Sequence, residues 1–288
     1  MRPTNKINLS TGENEQDIAP PQPPPSRTAW FFGAILVVTV TITAGTIYLG
    51  QHWRWNKTDW DFQVEVASTQ SNMTFTFADG TQMDFILIPA GEFTMGSPKG
   101  EVGGESWEPQ RRVIISKPFY MGICEVTQAQ YKAVMGENPS QFGYTHQNPV
   151  DYVSWDDAVE FCRKLSAKTN REVNLPTEAQ WEYACRAGTT TPFNVGETIS
   201  TDHANYDGRE TYGKGTTPSV YLDWTSPTGI FKPNGFGLYD MHGNVAEWCR
   251  DCFRSYLPAK TDGIDPENTI KTNQRVYRGG SWFDKPED

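Results

Sequence analysis

The hydrophobic positions between residues 84 and 121 fall in short runs that end at turn residues. Runs of this length, rich in β-branched and aromatic side chains, predict strands, here at residues 85–88, 92–95, 112–115 and 119–121. Pro89 and Gly91 stand between the first two runs. The pattern therefore predicts short strands at the start of a compact domain.

Three helix starts follow, each marked by a capping box. Thr127, Ser154 and Thr177 each supply a hydroxyl at the cap, with an amide or acid side chain three residues later. After Ser154, apolar residues recur at three- and four-residue steps (158, 161, 162 and 165), which indicates one buried helix face. Beyond Gly188 the periodicity fades into loop residues with scattered rings. This order of elements predicts an α+β fold with a long irregular half.

The longest apolar run precedes this domain and extends from Trp30 to Gly50 without a charged side chain. A helix of about 20 residues spans the ~30 Å hydrocarbon layer of a bilayer. A buried core helix would normally show a polar face, and a cleaved signal peptide has a shorter apolar region that begins earlier. We therefore predict a single transmembrane helix at residues 30–50, with the following domain on the extracytoplasmic side.

Composition supplies the other boundaries and excludes one class of partner. Residues 1–29 are rich in proline, which cannot occupy a helix interior, so they predict a disordered tail. Residues 51–83 are predicted to be a linker and residues 84–288 a single domain.

The chain has 35 acidic and 25 basic residues and a net charge of −10. Nucleic acid binding needs clustered Lys and Arg, so we expect no nucleic acid partner.

The segment 237–248 is the densest candidate for chemistry. Asp240 and Glu247 are hard oxygen donors of the kind that calcium takes, six to eight at a time. From spacing alone, however, the favoured interpretation is that Asp240 caps a turn and Glu247 pairs with an arginine, because carboxylates at this separation are common. His242 has no second histidine nearby, as a zinc site would need. Cys249 and Cys252 have the spacing of a redox dithiol, but no strand is predicted before them, so a partial disulfide is the favoured interpretation.

Six strings of residues, in one order along the chain, resemble the formylglycine-generating enzyme family, also called sulfatase-modifying factors. They are IPAGEFTMGS (88–97), EVTQAQY (125–131), NPVDYVSWDDAVEFC (148–162), LPTEAQWEYACRAGTTTPF (175–193), PNGFGLYDMHGNVAEW (233–248) and RVYRGGSW (275–282). The resemblance implies a single irregular α+β domain related to the C-type-lectin fold and stabilised by calcium.

The resemblance also implies which residues bind calcium. Asp240 and Glu247 would give side-chain oxygens, and Gly243 and Val245 would give backbone carbonyls. A second family site would begin with Asn205 and the carbonyl of Tyr206, but its later ligands find no acidic counterpart near residues 211–213. Calcium is therefore the cofactor that the resemblance predicts.

The copper chemistry of the family matches less well. The family's enzymes hold copper with two cysteines, the first of which follows the Gly-Gly-Ser-aromatic string after one further residue. Here Asp284 stands at that position, and a carboxylate is a poor ligand for Cu(I), which prefers soft sulfur. The second cysteine would lie beyond Asp288. The resemblance thus predicts a domain that is incomplete at its C-terminus, and it leaves enzymatic activity open.

Two functions follow as hypotheses. The first is a membrane-anchored, calcium-stabilised module that binds a peptide or protein ligand without copper. Its groove would be floored by Arg278, Ser281 and Trp282, next to the family's catalytic strand. The alternative is a copper-dependent formylglycine-generating oxidase, acting on a cysteine of a sulfatase peptide, whose catalytic residues are lost by truncation.

Overall fold

The computed structural model of the chain describes residues 72–104, 108–142, 145–213, 220–253 and 263–287, and the backbone of three short strands before residue 72. The chain divides into two compact units, one of residues 1–11 and 71–288 and the other of residues 12–70. The strands are β1 (Asn8–Ser10), β2 (Thr46–Leu49), β3 (Val64–Ala67), β4 (Met73–Thr76), β5 (Gln82–Ile88), β6 (Gly91–Met95), β7 (Arg111–Ile115), β8 (Phe119–Gly122), β9 (Val173–Asn174), β10 (Glu247–Cys252), β11 (Gly263–Ile264) and β12 (Arg275–Arg278). The helices are α1 (Gln128–Met135), α2 (Trp155–Thr169) and α3 (Glu178–Arg186).

The unit of residues 12–70 contains one antiparallel pair of strands, β2 and β3, with Thr46 opposite Ala67 and Leu49 opposite Val64. β2 lies at the end of the predicted transmembrane helix, and its β-branched and aromatic residues suit a strand. The helix therefore does not extend over residues 46–49, and residues 30–45 lie outside the described part of the chain. No helix among the described residues has both the length and the apolar character that crossing a bilayer requires.

The main sheet has five strands in the order β4-β5-β8-β1-β9, and all its pairs are antiparallel. β4 belongs to the predicted linker and β1 to the predicted tail, so both predictions are corrected for these residues. β1 has only three residues, but it lies between β8 and β9 and pairs with both of them. The sheet therefore begins before the boundary predicted at residue 84.

Two smaller sheets complete the strand structure. β6 pairs with β7 in antiparallel fashion, and β7 pairs with β11 in parallel. β10 pairs with β12, which places Glu247 opposite Arg278 and so joins the candidate calcium loop to the Gly-Gly-Ser segment. The strands predicted near residues 85, 92, 112 and 119 are all confirmed.

All three predicted capping boxes are confirmed. The hydroxyls of Thr127, Ser154 and Thr177 accept the backbone N–H three residues later, and the side chain at that position accepts the N–H of the cap residue. The buried face of α2 consists of the four predicted residues, Ala158, Phe161, Cys162 and Leu165. Local capping chemistry therefore fixes where each helix begins.

The domain has two main hydrophobic cores. One lies between α3, the strands β5 to β8 and the loop before β10, with Ile88, Met121 and Met241 almost fully buried. The other packs α1 and α2 against β5 and β9 around Phe85 and Phe161. Among the described residues, no helix or strand occurs between α3 and β10. The segment between α3 and β10, which belongs to the half predicted to be irregular, therefore packs against the first core as loops. These loops carry the candidate site.

Candidate functional site

The loop at residues 240–244 is clamped at three points by backbone hydrogen bonds. The N–H of Tyr239 donates to the carbonyl of Ile123 at 2.9 Å, and that of Gly243 donates to Gly279 at 2.7 Å. The N–H of Asn244 donates to the carbonyl of Asn205 at 2.7 Å. Positive φ at residues 240, 243 and 244, of 51°, 74° and 60°, allows the chain to turn tightly between these clamps. The loop is therefore held in one shape by three distant segments.

The two predicted carboxylate ligands of this loop are buried. Asp240 is 7% exposed and Glu247 only 1%. An oxygen of Asp240 accepts the N–H of Gly229 at 2.6 Å, and one of Glu247 accepts the indole N–H of Trp181 at 2.8 Å. Both of these donors are neutral groups. Two buried carboxylates within one loop supply oxygen donors of the kind that calcium takes.

The structure brings the two predicted calcium segments together. Asn205 and Gly243 form an isolated parallel bridge, and a Cβ on Gly243 would clash with the carbonyl oxygen of Asn205. The amide of Asn205 donates to the carbonyl of Trp224 at 3.0 Å. Its Oδ1 is buried and has no hydrogen-bond partner in the part of the chain that the structure describes. That oxygen is the clearest acceptor at this site for a cation.

The remaining predicted ligands are less distinctive. The carbonyl of Tyr206 accepts the N–H of Gly208 at 2.8 Å, and its hydroxyl donates to Ile199 at 3.2 Å. Val245 is buried beside Glu247. Over the described ranges, no three His, Cys, Asp or Glu side chains form a metal-binding group. A cation here would need backbone and amide oxygens in addition to the two carboxylates, and such an all-oxygen set suits calcium better than zinc.

A buried polar cluster behind the loop was missed in the sequence. The amide of Asn244, which is fully buried, donates to Glu125 at 3.4 Å and accepts the N–H of Ser226 at 2.9 Å. Glu125 is itself 1% exposed. Its only sequence signal is its place two residues before the cap Thr127, where the apolar pattern gives no reason to expect a buried acid. The cluster ties the α1 start to the calcium loop.

Beside this loop lies a cleft of about 210 Å³ that contains two of the three predicted ligand-binding residues, Arg278 and Ser281. Arg278 donates to Glu108 at 2.8 Å and is also paired with Glu178. Burial lowers the pKa of the guanidinium, but the carboxylates of Glu178 and Glu108 outweigh this and raise it above its usual value. Arg278 is thus committed to ion pairs at the base of the cleft.

Ser281 and Asp284 form the wall of the cleft next to this ion pair. The Ser281 hydroxyl donates to a carboxylate oxygen of Asp284 at 2.7 Å. The Asp284 carbonyl accepts the N–H of Asp207 at 2.9 Å. Asp284 therefore occupies the predicted copper-cysteine position as a hydrogen-bonded, hard carboxylate. These residues do not fit a Cu(I) ion.

Trp282 lies outside the cleft, contrary to its predicted place in the groove floor. It is 4% exposed and packs against Phe142 and Tyr221, with ring centroids 5.3 and 6.0 Å away. Two glycines with positive φ precede Ser281 and turn the chain sharply. Trp282 consequently lines a neighbouring cavity, and of the residues that the structure describes only Ser281 and Asp284 border both.

The cleft also contains a thiol beside an imidazole. Cys185 Sγ lies 3.8 Å from His242 Nε2, and both side chains line the cleft. The same Nε2 accepts the N–H of Asn194 at 3.1 Å, which orients the ring. The helical spacing of α3 marked Cys185 as a core residue, and nothing in the sequence linked it to His242. Among the described residues, the cleft thus contains one thiol, that of Cys185. It does not stand at position 284, where the family's enzymes have their first copper-binding cysteine.

The predicted disulfide between Cys249 and Cys252 is absent. All five cysteines lie among the described residues, and all are thiols. Both residues lie in β10, whose pairing with β12 shifts register between Trp248 and Cys252. Cys249 packs in the first core, whereas Cys252 Sγ accepts a hydrogen bond from Arg275 at 2.8 Å. The sequence did not predict the strand β10, and this strand places the two thiols in different surroundings.

Several characterised proteins are similar to this chain in sequence. "Chaperone protein LppX" of Paenibacillus barcinonensis is 30% identical over 260 residues, covering 76% of this chain and 83% of the relative. The formylglycine-generating enzyme of Streptomyces coelicolor is 35% identical over 253 residues, covering 69% and 78%. Mouse "Inactive C-alpha-formylglycine-generating enzyme 2" is 34% identical over 252 residues, covering 69% and 74%. The match to mouse formylglycine-generating enzyme, at 27% identity, spans 66% of that protein's length.

Structural and family comparisons agree with these relatives. The Treponema denticola variable protein 1 superposes with a TM-score of 0.62 at 26% identity, covering 76% of this chain and 90% of that protein. The model of the Sulfatase-modifying factor enzyme 1-like domain matches residues 70–288, which include β4 and the whole site described above. This chain therefore belongs to the sulfatase-modifying factor family.

Proposed function

We propose that the domain binds a protein or peptide ligand in the cleft and does not oxidise it with copper. The observation that supports this most strongly is Asp284, a hydrogen-bonded carboxylate at the wall of the cleft where the family's enzymes have a cysteine. The relative named as inactive is as similar to this chain as the named enzymes are. A domain without formylglycine-generating activity thus has a counterpart among these relatives.

We propose further that calcium holds the cleft in shape. Asp240, Glu247 and the carbonyls of Gly243 and Val245 are the donors that would bind one ion, and Asn205 Oδ1 with the carbonyl of Tyr206 would begin a second site. Gly243 donates its N–H to Gly279, which itself lines the cleft. Loss of the ion would therefore loosen the loop and the cleft together. The support is the buried, oxygen-rich donor set, which is what calcium prefers.

The membrane anchor is predicted at residues 30–50, of which residues 46–49 form β2; for the residues before β2 the anchor, like the extracytoplasmic location, stays a prediction from the apolar run. They agree with a ligand-binding role, because an anchored domain would present its cleft to proteins outside the membrane. Neither the cleft nor the calcium proposal depends on them.

The second candidate is a formylglycine-generating oxidase. One observation favours it: the cleft does contain a thiol, Cys185, 3.8 Å from His242. This pair differs from the two cysteines of the family's copper site, and Asp284 remains a hard donor. An oxidase of the family's kind would therefore need ligands that the described residues do not supply.

One experiment separates the two candidates. The full chain is incubated with copper, oxygen and a labelled sulfatase peptide that contains Cys-x-Pro-x-Arg. We expect saturable binding by fluorescence anisotropy and an unchanged cysteine mass. A matched peptide with serine in place of cysteine should bind equally well. Conversion of the cysteine to an aldehyde, lost in Cys185→Ser, would contradict the binding role and support the oxidase. No saturable binding of either peptide would count against both.

A further inference from the structure

A second cavity of about 230 Å³ adjoins the cleft across Ser281 and Asp284. Six aromatic side chains line it, and we call it the aromatic pocket: Phe142, Tyr152, Trp248, Tyr277, Trp282 and Phe283. Ala246 also lines it and is two residues before Trp248 along the chain. A methyl group at this position leaves the space between the rings open.

The rings of the pocket are fixed by packing and hydrogen bonding. The indole N–H of Trp248 donates to the Val153 carbonyl at 3.0 Å, and its ring meets Tyr277 edge-on at 5.9 Å. Trp282 is held between Phe142 and Phe283, with centroids 5.3 and 5.6 Å away. Tyr277 and Phe283 are each 57% exposed and border the opening. The pocket is therefore a preformed aromatic surface that is open to solvent on one side.

Among the described residues, the charged side chains that line the aromatic pocket are all acidic. Its charged lining residues are Asp151 and Asp284, and no Lys, Arg or His lines it. Asp151 accepts the backbone N–H groups of Gln141 and Phe142, at 2.9 and 3.2 Å, and Asp284 accepts the Ser281 hydroxyl. These donors are all neutral groups, and burial raises the pKa of Asp151 against the opposing N–H groups of Gln141 and Phe142.

Arg209, which contacts Tyr221 beside the pocket, is directed away from the pocket carboxylates. Arg209 is paired with Asp207 at 2.7 Å, and its guanidinium lies 4.1 Å from the centroid of Tyr221. Tyr221 in turn contacts Trp282 from outside the pocket. The carboxylate that pairs with Arg209 therefore lies outside the aromatic pocket.

We propose that the aromatic pocket binds an organic cation of the alkylammonium class. Aromatic faces attract cations through their quadrupole, and they favour weakly hydrated ones such as quaternary ammonium groups. Asp151 and Asp284 add charge attraction, and the rings bury the alkyl groups. A metal ion would find few oxygen donors among these rings, and an anion would be repelled by both acids. This inference rests on the proposed ligand-binding function, because it specifies the chemistry of one part of the ligand.

The test uses choline as the probe and 3,3-dimethyl-1-butanol, its neutral isostere, as the matched control. Binding to the full chain is measured by calorimetry and by quenching of tryptophan fluorescence. We expect saturable choline binding at least about tenfold tighter than that of the neutral alcohol, since a desolvated cation–π contact is worth that much. Equal affinity for the two compounds would overturn the proposal, because shape alone would then explain binding.

Variants locate the binding site. Tyr277→Ala removes an exposed ring of the pocket and should weaken choline binding several-fold, whereas Ile230→Ala, exposed and outside both cavities, should not change it. Asp284→Asn keeps the shape and should weaken choline binding without changing that of the alcohol. Unchanged choline binding in both pocket variants would overturn the proposal.

A chain that binds the sulfatase peptide but not choline refutes this inference alone, whereas choline binding without peptide binding supports the pocket and refutes the proposed cleft ligand.

Discussion

The carbonyl of Asn205 lies so close to Gly243 that the space beside it cannot contain a side chain. This crossing joins two loops that are separate in the sequence, and each carries one of the two predicted calcium sites. Because Gly243 also has a φ of 74°, it combines a left-handed backbone with a steric limit. The crossing can therefore be tested by adding one methyl group.

We expect Gly243→Ala to destabilise the domain strongly. Left-handed backbone costs an L-residue roughly 1–2 kcal/mol, and forcing a methyl group into a packed site adds about 1–3 kcal/mol. Gly80→Ala is the matched control, because Gly80 has a φ of 84° and no atom within 4 Å of the added Cβ. The free energy of unfolding from urea denaturation measures both. Similar losses for the two variants would mean that the crossing is looser than described.

The local parts of this fold could be predicted from the sequence, and the long-range parts could not. The hydroxyls of Thr127, Ser154 and Thr177 specify helix starts because capping needs only the next three residues. The pairing of β1 between β8 and β9 depends on residues more than a hundred positions away, and no local pattern encodes it. Local chemistry therefore gave the elements but not their arrangement.

The same distinction applies to the candidate site. Motif matching identified Asp240, Glu247 and Asn205, and the structure brings these loops together. It could not indicate which cavity Trp282 lines, because that depends on the turn at Gly279 and Gly280. It also missed Glu125 and the Cys185–His242 pair, whose members come together only through tertiary packing.

Calcium should stabilise the domain through Glu247. We expect a chelator to lower the melting temperature of the full chain and added calcium to restore it, because a ligand that binds only the folded state stabilises it by mass action. Glu247→Gln keeps the acceptor for Trp181 but lacks the charge, so it should melt at nearly the same temperature with or without chelator. Glu160→Gln, an exposed surface change, should keep the full response. Identical melting of the unmodified chain under both conditions would refute the calcium proposal.

Asp251 should make stability fall as the pH rises from about 4 to about 6. Burial raises the pKa of Asp251 from 3.8 to about 6, against the opposing N–H groups of Asn268 and Glu178. Below this window the carboxyl is protonated in both folded and unfolded chains. Above it, the carboxyl is ionised in both, and the folded state carries the cost of a buried charge. A shift of this size corresponds to a loss on the order of 2–3 kcal/mol across the window.

The variant Asp251→Asn isolates this effect, because an amide does not titrate. The difference in unfolding free energy between the unmodified chain and the variant should change across the window and be constant outside it. Asp156→Asn, at an exposed position of α2, should leave the pH profile unchanged. A constant difference from pH 4 to pH 7 would show that Asp251 is ionised throughout, with a pKa near its ordinary value.

Thiol alkylation should distinguish the five cysteines by burial. Cys124 is half-buried, and the other four are at most 6% exposed. Burial raises the pKa of Cys162 to about 12 and that of Cys249 well above its usual value, so their reactive thiolates are scarce. Brief treatment of the native chain with iodoacetamide should therefore modify Cys124 first, with Cys185 in the cleft slower. Mass spectrometry of Cys124→Ser should show that the fast modification is lost.

The same reagent tests the oxidation state of β10. Denatured without reductant, the chain should take up one label at every cysteine, because Cys249 and Cys252 face different surroundings and are not joined. A disulfide between them would leave both unlabelled until a reductant was added, and it would require β10 to bend so that the two sulfur atoms meet. Full labelling before reduction is therefore the result that the strand geometry requires, and loss of two labels would contradict the pairing of β10 with β12.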